Sequence, residues 1–167
     1  MPARVDDFHG FAVSRSTALF RTAYLLTGGD WHMAQDLTQE ALSRLFAAWK
    51  RVQQVDNPDA YARTVLVRLF ISHKRKKSSS EVVTDAPGEV SAPGVDPALR
   101  VTLLAALGAL NATDRAVVVL RYWEDRSVED AAHLLGLSAG AVRNRSLRAL
   151  AHLRNALGES FPALLAA

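Results

Sequence analysis

Asn144 and Arg148 stand one helical turn apart in SAGAVRNRSLRALAHLR (138–154), with Arg143, Arg145 and Leu147 beside and between them. Asn can present a donor and an acceptor together to adenine, and Arg can grip guanine through two parallel N–H groups. Flanking arginines suit phosphates, which fix register on a duplex without carrying sequence information. The candidate residues for this chemistry are Ser138, Arg143, Asn144, Arg145, Leu147 and Arg148. Gly140 and Ala141 are small enough to let the start of such a helix approach a phosphate. Laid out at about 100° per residue, Val142, Ser146, Ala149 and Leu153 share one side, with Leu150 at its edge. Asn144, Leu147, Arg148 and Ala151 share the other. An isolated helix with three arginines ordinarily has only a solvated face. What precedes this one favours DNA.

That preceding stretch is SVEDAAHLLGL (127–137). Ser127 can cap a helix, with Asp130 three residues on as in a capping box. Ala131, Ala132, Leu134 and Leu135 give a small apolar surface. Gly136 tolerates the left-handed conformation at a helix end. Leu137 turns back to the core, and Ser138 can cap the second helix. Two short helices around a tight turn are the pattern of a helix-turn-helix.

The whole chain has 167 residues, enough for one domain or two small ones, and nearly half are apolar. It has no cysteine, so disulfides, thiolate chemistry and cysteine zinc sites are excluded. No apolar run approaches a membrane span, and MPARVDDFHGF lacks the hydrophobic core of a secretory signal; the expectation is a cytoplasmic protein. Net charge is +3, distributed as +5 over 1–77, −4 over 78–96 and +2 over 97–167. Two cationic blocks around an acidic connector suit a chain that touches a polyanion twice.

The expected fold is all-α, with a helical domain over 1–77, a flexible acidic linker over 78–96 and a helix-turn-helix domain over 97–167. Residues 5–27 carry a helical stripe of Phe8, Phe11, Ala12, Leu19, Ala23 and Leu26, ended by Gly28-Gly29. Asp30 can cap a second helix, about Trp31 to Arg51, that buries Ala34, Leu37, Ala41, Leu45, Ala48 and Val52. Its other face presents Gln35, Asp36, Gln39, Glu40 and Arg44, which periodicity alone reads as solvated. Arg51 to Asn57 is a polar loop, and Asn57-Pro58 opens a third helix that buries Tyr61, Val65, Leu69 and Ser72. It ends in His73-Lys74-Arg75-Lys76-Lys77, more positive charge than a helix C-terminus needs, which suits phosphate contact. The segment SSSEVVTDAPGEVSAPGVD has the composition of a linker. Beyond it, Ala98 to Leu110 places Leu99, Thr102, Leu103, Ala106 and Leu110 on one side. Thr113-Asp114 then starts RAVVVLRYW, read as a buried helix although Val117-Val118-Val119 has strand character. Asn155 to Ala167 is an apolar extension without an assigned role.

Enzymatic chemistry finds no footing. The five histidines form no HExxH or similar pattern, no glycine-rich phosphate loop follows a strand, and no Ser-His-Asp context is visible. Trp31 and Trp49 suit packing. No metal, no cofactor and no activity of its own are expected.

Three segments in order, AQDLTQEALSRLFAAW (34–49), DAYARTVLVRLFISHKRKK (59–77) and LNATDRAVVVLRYWEDRSVEDAAHLLGLSAGAVRNRSLRALAHLR (110–154), resemble bacterial RNA polymerase sigma factors of the compact extracytoplasmic-function type. RTAYLLTGG (21–29) is similar to the SigE-like subgroup. The resemblance implies an initiation subunit that binds core RNA polymerase and confers promoter choice. It implies core-polymerase contacts at Gln35, Asp36, Gln39, Glu40 and Arg44. It places the −10 element against Gln53, Gln54, Asp56, Asn57, Arg68, Lys74 and Arg75. The −35 element falls to Arg143, Asn144 and Arg148, with Arg145 on phosphate. The implied partners are core RNA polymerase, promoter DNA and an anti-sigma factor, with no membrane. Arg68 stands where the family often has Asn, Ser72-His73 where a Trp is frequent, and Ala141 and Asn144 where Thr and Ser are common. The competing reading is a helix-turn-helix regulator that works without polymerase; it lacks a strand-rich sensor pattern in residues 1–77.

Overall fold

The computed structural model describes residues 2–76 and 96–161, excluding the side chains of residues 2–6 and 75–76. The expected linker, apart from Asp96, lies outside the described residues. The chain forms two compact units. One holds the described residues up to Tyr24 and those from Asp30 to residue 76. The other holds Leu25–Gly29 and residue 96 onward.

The first unit is built from α1 (Pro2–Leu26), most of which belongs to it, α2 (Trp31–Ala47), the single turn α3 (Trp49–Val52) and α4 (Pro58–Lys76). Asp30 caps α2 by accepting from the Met33 amide at 3.1 Å, and Asn57 does the same for α4 from Ala60 at 3.1 Å. Ala34, Leu37, Ala41 and Leu45 are buried along α2 as the spacing predicts. The helix breaks at Ala48, which is only half-buried, and Trp49 takes the core position instead. Its indole lies against Phe11 at 5.0 Å and edge-on to Phe8 at 5.4 Å. A continuous helix to Arg51 is therefore corrected to a helix, a break and one further turn.

The buried stripe of α4 also differs from the expected one. Ala62, Leu66, Val67, Leu69 and Phe70 are buried, whereas Tyr61 and Val65 are half-buried and Ser72 is exposed. The expected series shares only Leu69 with this face. The observed set holds Phe70, one of the largest fully buried side chains, and burying each such residue is worth about 1.5–3 kcal/mol. A register that buried Ser72 and left Phe70 in water would forfeit that.

The second unit contains α5 (Pro97–Ala109), α6 (Ala112–Val118), a π-turn (Val119–Trp123), α7 (Val128–Leu135), α8 (Ala139–Leu157) and a 3₁₀ turn (Gly158–Ser160). Asp96 caps α5 and Pro97 fills its first position. Leu103, Ala106, Leu107, Leu110, Val118, Ala149, Leu153, Leu157 and Phe161 make one core cluster. Leu107 was absent from the expected α5 stripe, and Thr102, expected inside, is exposed. Val117, Val118 and Val119 are buried in helical backbone, and the described residues contain no strand. The cap of α6 is Asn111 rather than Thr113-Asp114. The C-terminal extension contributes Leu157 and Phe161 to the core, so it does structural work that its composition did not disclose.

Candidate nucleic-acid interface

The helix-turn-helix is held by backbone chemistry at both ends of its turn. The Ser127 hydroxyl oxygen accepts from the Asp130 amide at 3.0 Å, starting α7. Gly136 ends it with φ of +66°, where a Cβ would be strained. The Leu137 amide donates to Ala132 O at 2.9 Å and the Gly136 amide to His133 O at 3.4 Å, the paired bonds of a Schellman turn. Ser138 follows at once and caps α8, accepting from the Ala141 amide at 3.0 Å. Its oxygen is thus engaged, while its O–H remains a donor for a phosphate.

Helix α8 divides its residues as the angular layout predicts. Val142, Ser146, Ala149, Leu153 and Leu157 are buried. Arg143, Asn144, Leu147, Arg148 and Ala151 are exposed. Ala141, Asn144, Arg145, Leu147 and Arg148 line one shallow surface groove. Arg143 Nη2 approaches Glu129 Oε1 of α7 at 3.6 Å, an exposed pair of little energetic weight.

Arg145 is different. Its Nη1 donates to Asp114 Oδ1 at 2.7 Å, and the guanidinium is half-buried against α6. Asp114 is itself buried, with its amide donating to Asn111 Oδ1 at 2.8 Å and its Oδ2 accepting from Asn111 Nδ2 at 3.0 Å. The expectation of a phosphate contact therefore meets an arginine already engaged in fixing α8 to the start of α6. Asn111 and Asp114 carry a legible signal, a cap residue followed three positions on by a carboxylate, two residues ahead of the expected start at Thr113. Behind them Arg115 is buried, donating from Nε to Leu107 O at 2.7 Å and from Nη2 to Leu110 O at 2.8 Å. It thereby gives the Leu110 carbonyl a donor at the end of α5, where helical donors run out, and adds a second donor to Leu107 O, which already accepts from the Leu110 amide at 3.1 Å. Burial pulls its pKa below the ordinary guanidinium value.

In the first unit, Gln35, Asp36, Gln39 and Arg44 form an exposed polar face on α2. Glu40 lies on the same helix but is half-buried, accepting from Arg44 Nη2 at 3.1 Å and meeting His73 Nε2 of α4 at 2.8 Å. The His73 hydrogen bond holds the Glu40 carboxyl below its usual range; burial opposes this and Arg44 assists it. Glu40 and His73 therefore join α2 to α4, a contact that sequence spacing could not reveal across 33 positions.

Gln53, Gln54, Asp56 and Asn57 gather in the exposed connection between α3 and α4. Gln53 Nε2 donates to Asp7 Oδ2 at 3.4 Å, and Asn57 is occupied as the α4 cap. Arg68 is exposed about 15 Å along α4 from Pro58, and Lys74 is half-buried further on. These candidates thus extend along one helix rather than cluster at one point. The Arg75 side chain lies outside the described residues. Among the described residues, no group of His, Asp and Glu could hold a metal ion, and no helix is long and apolar enough to cross a membrane.

Two helical units, one ending in a capped helix-turn-helix with an outward Asn–Leu–Arg face, define a DNA-directed transcription protein. The sigma-70 region 2 family matches residues 6–80 and the sigma-70 region 4 family matches residues 106–155. The RNA polymerase sigma-E factor of Streptomyces coelicolor is 37% identical over 155 residues, covering 92% of this chain and 87% of that one. The extracytoplasmic-function sigma factor SigE of Mycolicibacterium smegmatis is 30% identical over 150 residues, covering 84% and 58%. Among solved structures, sigma factor RpoE from Bartonella quintana, crystallised with the anti-sigma factor NepR, superposes with a TM-score of 0.73 at 26% identity, covering 92% of this chain and 98% of that one. The chain belongs to the sigma-70 family of RNA polymerase sigma factors, in its extracytoplasmic-function group.

Proposed function

We propose that the chain, a sigma factor that directs promoter-specific initiation, divides its tasks between its two units along residue lines. The exposed face of α2, with Gln35, Asp36, Gln39 and Arg44, docks core RNA polymerase, while Glu40 supports that face from beneath through His73. Gln53, Gln54, Asp56 and Asn57 meet the −10 element as it opens, and Arg68, Lys74 and Arg75 hold its backbone along α4. In α8, Arg143, Asn144 and Arg148 read the −35 element, and Arg145 positions the helix through Asp114. Domain limits of 1–77 and 97–167, joined by the acidic stretch 78–96, fit this division. The protein acts in the cytoplasm without a catalytic site of its own, and an anti-sigma factor is a natural regulator.

The observation that carries the DNA assignment is the outward trio Asn144, Leu147 and Arg148 on a helix whose opposite face is buried. A regulator independent of polymerase would leave the polar face of α2 without a role. Run-off transcription separates the two readings: transcripts are expected only when purified chain and core polymerase are both present. Asp36→Lys combined with Gln39→Ala should weaken capture of core polymerase while leaving thermal unfolding unchanged. Undiminished capture would remove the docking face from α2.

A further inference from the structure

Leu147 is 68% exposed, one of few large apolar side chains so placed among the described residues. It contributes nothing to the core of its unit, since α8 packs through Val142, Ser146, Ala149 and Leu153 on the opposite side. Its neighbours on the outer face are Asn144 one turn back, Arg148 next in chain and Ala151 one turn on. The groove around it is lined by Ala141, Asn144, Arg145 and Arg148, so an apolar tip sits inside a cationic, hydrogen-bonding surface. That combination suits a surface which is polyanionic overall and carries an apolar spot at one fixed place.

A DNA major groove has one such spot, the C5-methyl group of thymine; the other base edges exposed there are polar acceptors or donors, or bare C–H. We infer that Leu147 is a specificity-determining residue that selects thymine at one position of the −35 element by covering its methyl group. The inference rests on the placement of α8 in the major groove and adds to it the identity of a base. Asn144 and Arg148 flank Leu147 on the same face, so the thymine lies beside the base pairs those two side chains read. Removing one methyl-sized group from such a contact is worth about fourfold in affinity. The contact owes nothing to charge, so unlike the arginine contacts it does not weaken with counter-ion competition.

The test uses the full chain bound to core polymerase. Duplexes are first enriched from a pool randomised over the −35 region, and the enriched sequence is then resynthesised with deoxyuridine replacing each thymine in turn. Deoxyuridine keeps the hydrogen-bonding edge and lacks only the methyl group. The expected result is one position at which deoxyuridine binds about fourfold more weakly, with the difference abolished in Leu147→Ala. Because Leu147 is exposed, the variant should unfold at the same temperature as the parent. Equal binding of thymine and deoxyuridine duplexes at every position overturns the proposal and leaves DNA reading by α8 intact. So does a Leu147→Ala chain that still discriminates. Failure of any −35 sequence to be enriched would instead overturn the placement of α8 together with the proposal.

Discussion

Arg145 and Arg148 stand three residues apart on α8, yet one meets a buried carboxylate and the other meets solvent. Burial decides between them: leaving the buried Asp114 of α6 without its charged partner would cost far more than a surface charge gains from a phosphate. Glu40 shows the same logic in the first unit. Its pKa lies below the ordinary range because His73 hydrogen-bonds the ionised form. A depressed carboxylate stabilises the fold above its unfolded pKa, and that contribution is lost as pH falls through the folded value. The parent chain should therefore exceed Glu40→Gln in urea midpoint near neutral pH, and the two should converge on acidification. Glu40 is 37% exposed, so screening keeps the difference within about 1 kcal/mol. A gap independent of pH would show that the Glu40 charge does no work in the fold. Such residues mark the limit of what sequence discloses. The exposed face of α8 was legible because side-chain direction follows from 3.6-residue periodicity alone. Asp114–Arg145 and Glu40–His73 were not, because each pairing depends on how separate helices pack.

At the scale of elements, the helix-turn-helix was legible almost residue by residue, since Ser127, Gly136 and Ser138 act through local backbone bonds. The α4 register was not, because the candidate stripes differ mainly in which residue meets α2. The break at Ala48 escaped for a related reason: nothing local forbids a continuous helix, and only the contacts of Trp49 with Phe8 and Phe11 reward the break. Local chemistry at the α8 N-terminus also supports a prediction that separates folding from binding. Ser138→Ala removes a cap and should cost about 0.5–2 kcal/mol of stability. Ser138→Asp restores the cap and places a negative charge at the positive end of the helix, so stability should match or exceed that of the parent. If that end faces a phosphate, the same aspartate repels it, and −35 binding should fall although the fold is intact. Calorimetry and a binding titration on both variants check this. Full promoter affinity in Ser138→Asp would mean that the N-terminus of α8 stands clear of the backbone.

For the molecule as a whole, two compact units that each contact the promoter, as proposed, would make binding a matter of avidity. On the proposed division each unit would offer a modest contact: polar and basic groups along α4 in one, the exposed face of α8 in the other. Neither needs to be tight, because engagement of one raises the effective concentration of the other, and avidity of about 10²–10⁴ follows from geometry without any new contact. The same arithmetic predicts a sharp failure. Inserting about five base pairs between the −10 and −35 elements turns one contact to the far side of the duplex while leaving every base in both elements unchanged. With core polymerase present, promoter-complex stability should fall about as far as when the −35 element is scrambled outright. An avidity loss of that kind depends on spacing alone, so Arg148→Ala should have little further effect on the lengthened promoter, whereas on the parent promoter it should cost about 1–3 kcal/mol at one position. Complex lifetimes on the four combinations of promoter and chain measure the coupling directly. Lifetimes that ignore the insertion would mean that the two units bind DNA one at a time, and that the connector between them transmits no constraint.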